Sequence, residues 1–474
     1  VLDYGSQPDL LGSLTAGQRA IWAAQQLRPE VPYNVAAFLV IDHDVDAERL
    51  MVACESAATR FGTPCARLSL VDGEPVFVVE RTHPDTLRCI DLRAEDDPVA
   101  AARGWMENDY RQPVEMYRDR LTEFVLLRIT DNMSYFYLRA HHVLFDGYGA
   151  NNWIREVAAV YSGAAAPDTG EVDFSEFALL RDADQKYQQS SRSRSDAEYW
   201  KTVVDGPLDI TDLTGTHRSV PPQHPLVREL TCTHQFPRNT NDQFDVAKTV
   251  AAIAVFIAKT TGRRDISLSL PVSARTTAAL KKSAGMVSNM VPLLISVDNR
   301  DTIATLTDRV GTALIGALRH QQFRRWPDLI ADATGLDMNV EFGPVINILD
   351  FAARFPFGPS QTTYNVLTTF PIQDIAVNIY PGLGDGAPRI EFKWNPNRYS
   401  LDEIDRHTTR LESLLDRLAT ADTSLPVGEI SLLDAGERVR LDEFGNRAVL
   451  TRVAAPGSVV GLFGVQVGRT PDAV

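Results

Sequence analysis

Two adjacent histidines, His141 and His142, open the run His-His-Val-Leu-Phe-Asp-Gly, which ends on Asp146 and Gly147. Imidazole has its ordinary pKa close to neutrality, so a histidine held in a cleft can accept or return a proton near pH 7. The preceding residues, Ser134 to Ala140, are rich in aromatic and apolar β-formers and predict a buried strand. Gly149 to Tyr161 then has helical spacing. The pair therefore falls where a strand leaves its sheet, a place from which a rigid scaffold presents a side chain to a cleft. Adjacent residues in extended backbone point to opposite faces. One imidazole is expected to face the cleft, and the other to support the strand end.

A chain of 474 residues is too long for one compact core and predicts two or three domains. The 62 acidic against 47 basic side chains leave a net charge of −15. Nucleic acid and anionic membrane surfaces both call for a basic face, so neither is expected as a partner. Cys54, Cys65, Cys89 and Cys232 are far apart and form no Cys-x-x-Cys pair. Neither a zinc site nor a disulfide framework is expected, which fits a reducing, cytoplasmic compartment. No apolar run approaches the roughly 18–20 residues of a membrane span. The N-terminus has no basic and apolar signal segment, and a start on Val1 is compatible with a piece of something longer.

A capping box at Thr15 and Gln18 predicts a helix through Leu27. Tyr33 to Ile41 reads as a strand and Ala47 to Arg60 as a helix. Hairpins are expected to turn at Asp72-Gly73 and at Asp131-Asn132, the second delivering His141. Residues 181–198 are polar and read as a solvated helix or connector. Further on, Phe244 to Thr261 is an apolar helix stopped by Gly262, followed by a strand at Ile266 to Pro271. Another helix spans 303–322, and Val345 to Ile348 reads as a strand. Ile375 to Tyr380 and Ile390 to Trp394 are expected to pair around a loop holding Gly382, Gly384 and Gly386. Ser400 and Glu403 cap a last helix reaching Thr420. Strands and helices mix without a βαβα rhythm, so the fold class is α+β, in two lobes with a cleft between them.

The His-His-x-x-x-Asp-Gly spacing resembles the signature of the condensation domains of nonribosomal peptide synthetases, members of the chloramphenicol acetyltransferase-like superfamily. Further stretches resemble the motifs of that family in the same order. They begin with Leu14-Thr-Ala-Gly-Gln-Arg19, with Trp22, Gln26, Leu27, Pro29 and Tyr33-Asn34. Asp173-Phe-Ser-Glu-Phe177 with Tyr199-Trp200 follows, then Pro271-Val-Ser-Ala-Arg275 and Gly285-Met-Val-Ser-Asn289 with Pro292-Leu293. Gly343-Pro-Val-Ile-Asn347 and Asn395-Pro396 with Tyr399 complete the set, so that the resemblance covers residues 10–425. One stretch departs from the pattern. Where the family has Arg-His-Glu followed by Leu-Arg-Thr, this chain has Arg60-Phe61-Gly62-Thr63 and then Pro64-Cys65. The tail from Ser458 to Val474 looks like the start of an adenylation domain.

The resemblance implies two chloramphenicol acetyltransferase-like lobes forming a V-shaped pseudo-dimer around a central tunnel. Residues 1–172 would be the N-terminal lobe, 173–425 the C-terminal lobe, and 426–474 a linker with the truncated start of an adenylation domain. It implies amide formation between a donor acyl or peptidyl thioester and the α-amine of an acceptor aminoacyl thioester. Both would ride on the 4′-phosphopantetheine arms of donor and acceptor peptidyl carrier protein domains, with no cofactor or metal of the chain's own. His142 would face the reaction centre, as general base or as a group that orients the amine, with His141 supporting the strand end. Asp146 would pair structurally with Arg275, Gly147 would give backbone clearance, and Tyr148 and Asn347 are candidates for the tunnel wall.

Four relatives of the same fold compete with this reading. An epimerisation domain usually continues with Val-Ser-Trp-Arg, where this chain has Tyr148-Gly149-Ala150-Asn151. A heterocyclisation domain replaces the histidines with aspartates. A non-catalytic recruitment module typically loses the second histidine, which is present here. A stand-alone acyltransferase would lack the adenylation-like tail. The Gly285–Asn289 motif resembles that of siderophore-type synthetases.

Overall fold

The computed structural model describes residues 9–79, 87–204, 212–214, 220–231, 244–326, 341–349, 354–368, 371–381, 388–445 and 458–472. Cys232 and the loop glycines Gly382, Gly384 and Gly386 lie outside the described residues. Val1–Ile430 forms one compact unit and Ser431–Val474 a second. Among the described residues, the first unit is built on two six-stranded sheets and one three-stranded sheet.

The first large sheet centres on β7 (Met133–His141), which pairs antiparallel with β2 (Asn34–Ile41) and β6 (Thr122–Thr130). β5 (Arg88–Asp91) joins β6 in parallel. β12 (Arg354–Phe357) and β13 (Ser360–Thr368) extend the sheet from β2, although they come from the second half of the chain. Alternation along β7 serves two cores. Phe136, Leu138 and Ala140 join one core with α2 (Ala47–Phe61) and α4 (Gly147–Tyr161), where Phe124 stacks on Trp153 with ring centroids 4.1 Å apart. Tyr135 and Tyr137 enter the other with Met106 of α3 (Pro98–Tyr110). A strand buried on both faces lies inside a layered core, so its end is held rigidly.

The second large sheet has the order β10 (Asn289–Ser296), β9 (Asp265–Val272), β11 (Val345–Ile348), β14 (Ile375–Tyr380), β15 (Arg389–Trp394) and β8 (Leu226–Leu230). β11 runs parallel to β9 and β14, and the remaining pairs are antiparallel. Its Ile346, Val377 and Phe392 are in register and fully buried. The helices α7 (Val246–Thr261), α9 (Ile303–Arg319) and α10 (Leu401–Thr420) pack together through α7. Asp245 caps the start of α7, and Gly262 ends it with φ +73°. The small sheet holds β1 (Leu10–Ser13), β4 (Glu74–Val79) and β3 (Ala66–Val71). Asp72 and Gly73 both have positive φ, as a two-residue hairpin turn requires.

The Thr15 and Ser400 capping boxes form, starting α1 (Ala16–Leu27) and α10. The polar stretch 181–198 is not a single solvated element. It is divided between α5 (Ser175–Gln189) and α6 (Ser191–Val203), split at Ser190, whose hydroxyl accepts the Ser193 N–H. α6 buries Asp196 and Trp200. α8 (Ala278–Lys282) precedes the 283–288 loop. The second unit contains α11 (Ala435–Phe444) and α12 (Val459–Arg469). Among the described residues no helix is long and apolar enough to cross a membrane.

Candidate active site

The backbone stays tied to its neighbours as β7 ends. The His141 N–H donates to the Leu121 carbonyl at 2.7 Å, and the His142 N–H to that of Tyr33 at 2.8 Å. The side chains then part. His141 is fully buried, and its Nδ1 accepts the Val143 N–H at 3.2 Å. That leaves the proton on Nε2, which donates to Gln25 Oε1 at 3.1 Å. Burial, reinforced by the neighbouring His142 and Arg139, pushes its pKa down to about 3, so it stays neutral. His142 instead is half-buried and lines a cavity of about 620 Å³. Burial also lowers its pKa, more than the Asp146 charge raises it, so the imidazole is neutral at pH 7 and able to accept a proton.

Asp146 shows why the chain turns into a helix here. It caps α4, taking the Gly149 N–H on Oδ1 at 2.7 Å, and α4 therefore starts at Gly147, two residues before the expected start. Its Oδ2 accepts the Val287 and Ser288 N–H groups, each at 2.8 Å, and Arg275 Nη1 at 2.6 Å. With three donors on Oδ2 and one on Oδ1, both oxygens of this carboxylate are engaged by the fold. Burial alone would raise this carboxyl, but Arg275 and the backbone amides outweigh it and hold it below the usual range. Both side chains of the pair are 1–2 % exposed. Arg275 Nη2 donates to the Gly285 carbonyl at 2.7 Å, and its guanidinium lies 4.9 Å from the centre of the Tyr148 ring.

Two backbone features hold this arrangement. Ala274, next to Arg275, has φ +52°, and its N–H is taken by Gln321 Oε1 at 2.8 Å. That left-handed conformation costs a residue with a Cβ about 1–2 kcal/mol. Gly149 passes so close to the 283–288 loop that a Cβ would lie 1.8 Å from the Ala284 carbonyl oxygen. Gly147 itself lines the cavity, as do Tyr148 and Asn347. The structure thus places His142, Asp146, Gly147, Tyr148 and Asn347 around one cavity and puts His141 behind it, with Arg275 buried against Asp146.

Glu176 was not singled out from the sequence. Its carboxylate accepts the Ala284 N–H at 3.0 Å, the Gly285 N–H at 2.6 Å and the Thr63 hydroxyl at 3.2 Å. Burial outweighs these donors and pushes its pKa up to about 7. Thr63 belongs to the stretch that departs from the family pattern. There Gly62 ends α2 at φ +65°, and Arg60 pairs with Glu156 at 2.7 Å. Gly285 also bridges to Phe145. Glu176 thus pins the loop that supplies three partners of the Asp146–Arg275 pair. Arg324 braces the same loop, donating to the Ser288 carbonyl at 2.9 Å and to that of Val287.

A family model described as "Condensation domain" matches residues 12–441. The isonitrile lipopeptide synthase of Streptomyces coeruleorubidus is 30% identical over 437 residues, 89% of this chain and 29% of that protein. Enterobactin synthase component F of Escherichia coli is 26% identical over 97% of this chain and 36% of its own length. The chain therefore spans little more than a third, or less, of these curated relatives. Among solved structures, a mutant starter condensation domain of rhizomide synthetase in complex with C8-CoA superposes with a TM-score of 0.79. It is 28% identical and the match covers 89% of this chain and 97% of that one. The first condensation domain of the calcium-dependent antibiotic synthetase, in complex with a substrate analogue, gives 0.77 at 26% identity, over 90% and 100%.

Proposed function

Because the chain belongs to the condensation-domain family, we propose that its cavity joins a donor acyl or peptidyl thioester to the α-amine of an acceptor aminoacyl thioester. The members of this family are acyltransferases that form amide bonds in nonribosomal peptide synthetases. In this reading both substrates arrive on the 4′-phosphopantetheine arms of peptidyl carrier protein domains, and an adenylation domain follows downstream. Residues 1–172 and 173–425 act as two lobes, 426–474 as linker and the start of that domain, and the assembly works in the cytoplasm with no cofactor of its own.

The carrying observation is the division of labour in the heptapeptide. His142 is a neutral imidazole on the cavity, while both oxygens of the adjacent Asp146 are engaged by four donors of the fold. An acceptor α-amine has a pKa of about 7.7–8.0, so part of it is uncharged near neutrality. Its nitrogen attacks the thioester carbon, a C–N bond forms and the C–S bond breaks. The proton shed by the nitrogen passes to His142 and on to the departing thiolate. Holding amine and thioester together supplies up to about 7–11 kcal/mol, and proton transfer a further factor of about 10²–10⁴. Gly147, at the N-terminal end of α4, offers its amide where positive helix-end charge would favour the developing oxyanion.

The test loads an acyl group on a donor carrier and an aminoacyl group on an acceptor carrier, adds the chain, and weighs the acceptor carrier by mass spectrometry. The amide product is expected, and its absence with both carriers loaded overturns the reading. A single-turnover pH–rate profile then separates the two roles of His142. As a base it loses activity as pH falls through its lowered pKa. A profile without such a limb leaves it only the orienting role.

A further inference from the structure

The second large sheet presents a polar face to the same cavity. Asn347 of β11, Asn378 of β14 and Glu391 of β15 are in register, and Lys393 pairs with Ala376 one step along. They occupy the face opposite Ile346, Val377 and Phe392, since neighbours along a strand alternate. All four polar residues are at least nine-tenths buried, and Asn347, Asn378 and Lys393 line the cavity. Polar groups so far from water are costly unless partnered.

The partners within the fold leave donors to spare. Glu391 lies 3.5 Å from Lys393 Nζ and 3.3 Å from Arg389 Nη2, so Lys393 shares its carboxylate with Arg389, which also reaches Glu229 at 4.0 Å. It also accepts the Tyr380 hydroxyl at 3.0 Å and Asn378 Nδ2 at 3.3 Å. An ammonium has three N–H groups, and among the described residues Lys393 directs one of them to Glu391. The indole Nε1 of Trp326, buried on the same cavity, has no hydrogen-bond partner among the described residues. Glu341 also lines the cavity, but burial raises its pKa to about 8, so at neutral pH it is mostly protonated.

We propose that this wall binds a carboxylate on the side chain of one of the two substrates, with Lys393 as its charge partner and Asn347 as a hydrogen-bond donor. The substrate class depends on the condensation reading, but the site itself does not. The carboxylate belongs either to the donor acyl group or to the acceptor aminoacyl group, and both sources present the same chemistry to Lys393.

Equilibrium binding to the full 474-residue chain, measured calorimetrically with unreactive amide analogues of the pantetheine thioesters, tests this without turnover. The donor arm compares N-acetylglutamyl with N-acetylglutaminyl aminopantetheine, and the acceptor arm compares the same pair with a free α-amine. In one arm the glutamyl analogue is expected to bind at least about tenfold more tightly, the size of one charge-assisted hydrogen bond. Lys393→Met brings that ratio close to one, and Asn347→Asp inverts it by placing a carboxylate beside the ligand's own. A wild-type ratio near one in both arms overturns the proposal, as does a preference that survives both substitutions. Should Lys393→Met fail to fold, Asn347→Asp decides. Amide formation from methionyl substrates, followed separately, reports on the condensation reading alone.

Discussion

The two six-stranded sheets treat their polar residues in opposite ways. β7 of the first sheet is mostly apolar; its mid-strand polar groups, Tyr137 and Arg139, are paired with Asp109, and those at its end are nearly all satisfied within the fold. β11, β14 and β15 of the second carry Asn347, Asn378, Glu391 and Lys393 in the middle of a buried face. The difference separates chemistry from recognition. A reactive imidazole needs surroundings that do not move, and saturated hydrogen bonding provides them. Selecting a substrate needs hydrogen-bonding capacity left open for it.

The strongest way to break this comparison is Arg275→Ala. It leaves Asp146 buried without its cation, and chemical denaturation is expected to show a loss of about 3–5 kcal/mol. Unchanged stability would mean that the first site is not held by saturation. Gly149→Ala comes next, because its Cβ would meet a backbone carbonyl that has little room to give. A loss of about 1–3 kcal/mol is expected from the same measurement. Gln25→Met strands the Nε2 proton of buried His141, for about 1–2 kcal/mol. A neutral result would show that His141 needs no such partner.

The remaining test is a pH dependence. The folded pKa of Glu176, about 7, lies above its ordinary 4.5, so the folded state holds the proton more tightly than the unfolded chain does. Its contribution to stability is full below pH 4.5 and is lost as pH rises through about 7. Melting temperatures of Glu176→Gln and wild type should therefore diverge across that window, with the wild type losing ground as pH rises. Parallel curves would contradict the raised pKa.

Local chemistry made much of the first site legible. A run of β-forming residues from Ser134 to Ala140 marked β7, turn residues marked both hairpins, and capping boxes marked α1 and α10. The cap that Asp146 makes was equally local but went unread, because Gly149 hid a helix start two residues earlier. Glu176 was illegible for another reason. Its partners are backbone amides 108 and 109 residues away, which no side-chain pattern announces. The same holds for β12 and β13, where Thr362 reaches the Val40 carbonyl across 322 residues. In the second sheet Asn347 was singled out for the tunnel wall, but Asn378, Glu391 and Lys393 were not, since alternation cannot distinguish a wet surface from the wall of a cavity.

The central claim is that a neutral His142, held by a scaffold that does not depend on it, moves the acceptor's proton. The most direct measurement is the single-turnover rate of amide formation on the acceptor carrier for wild type and His142→Ala, with melting temperatures measured alongside. The account predicts a rate lower by about 10²–10⁴ with the melting temperature preserved. A variant that forms the amide at the wild-type rate would contradict it.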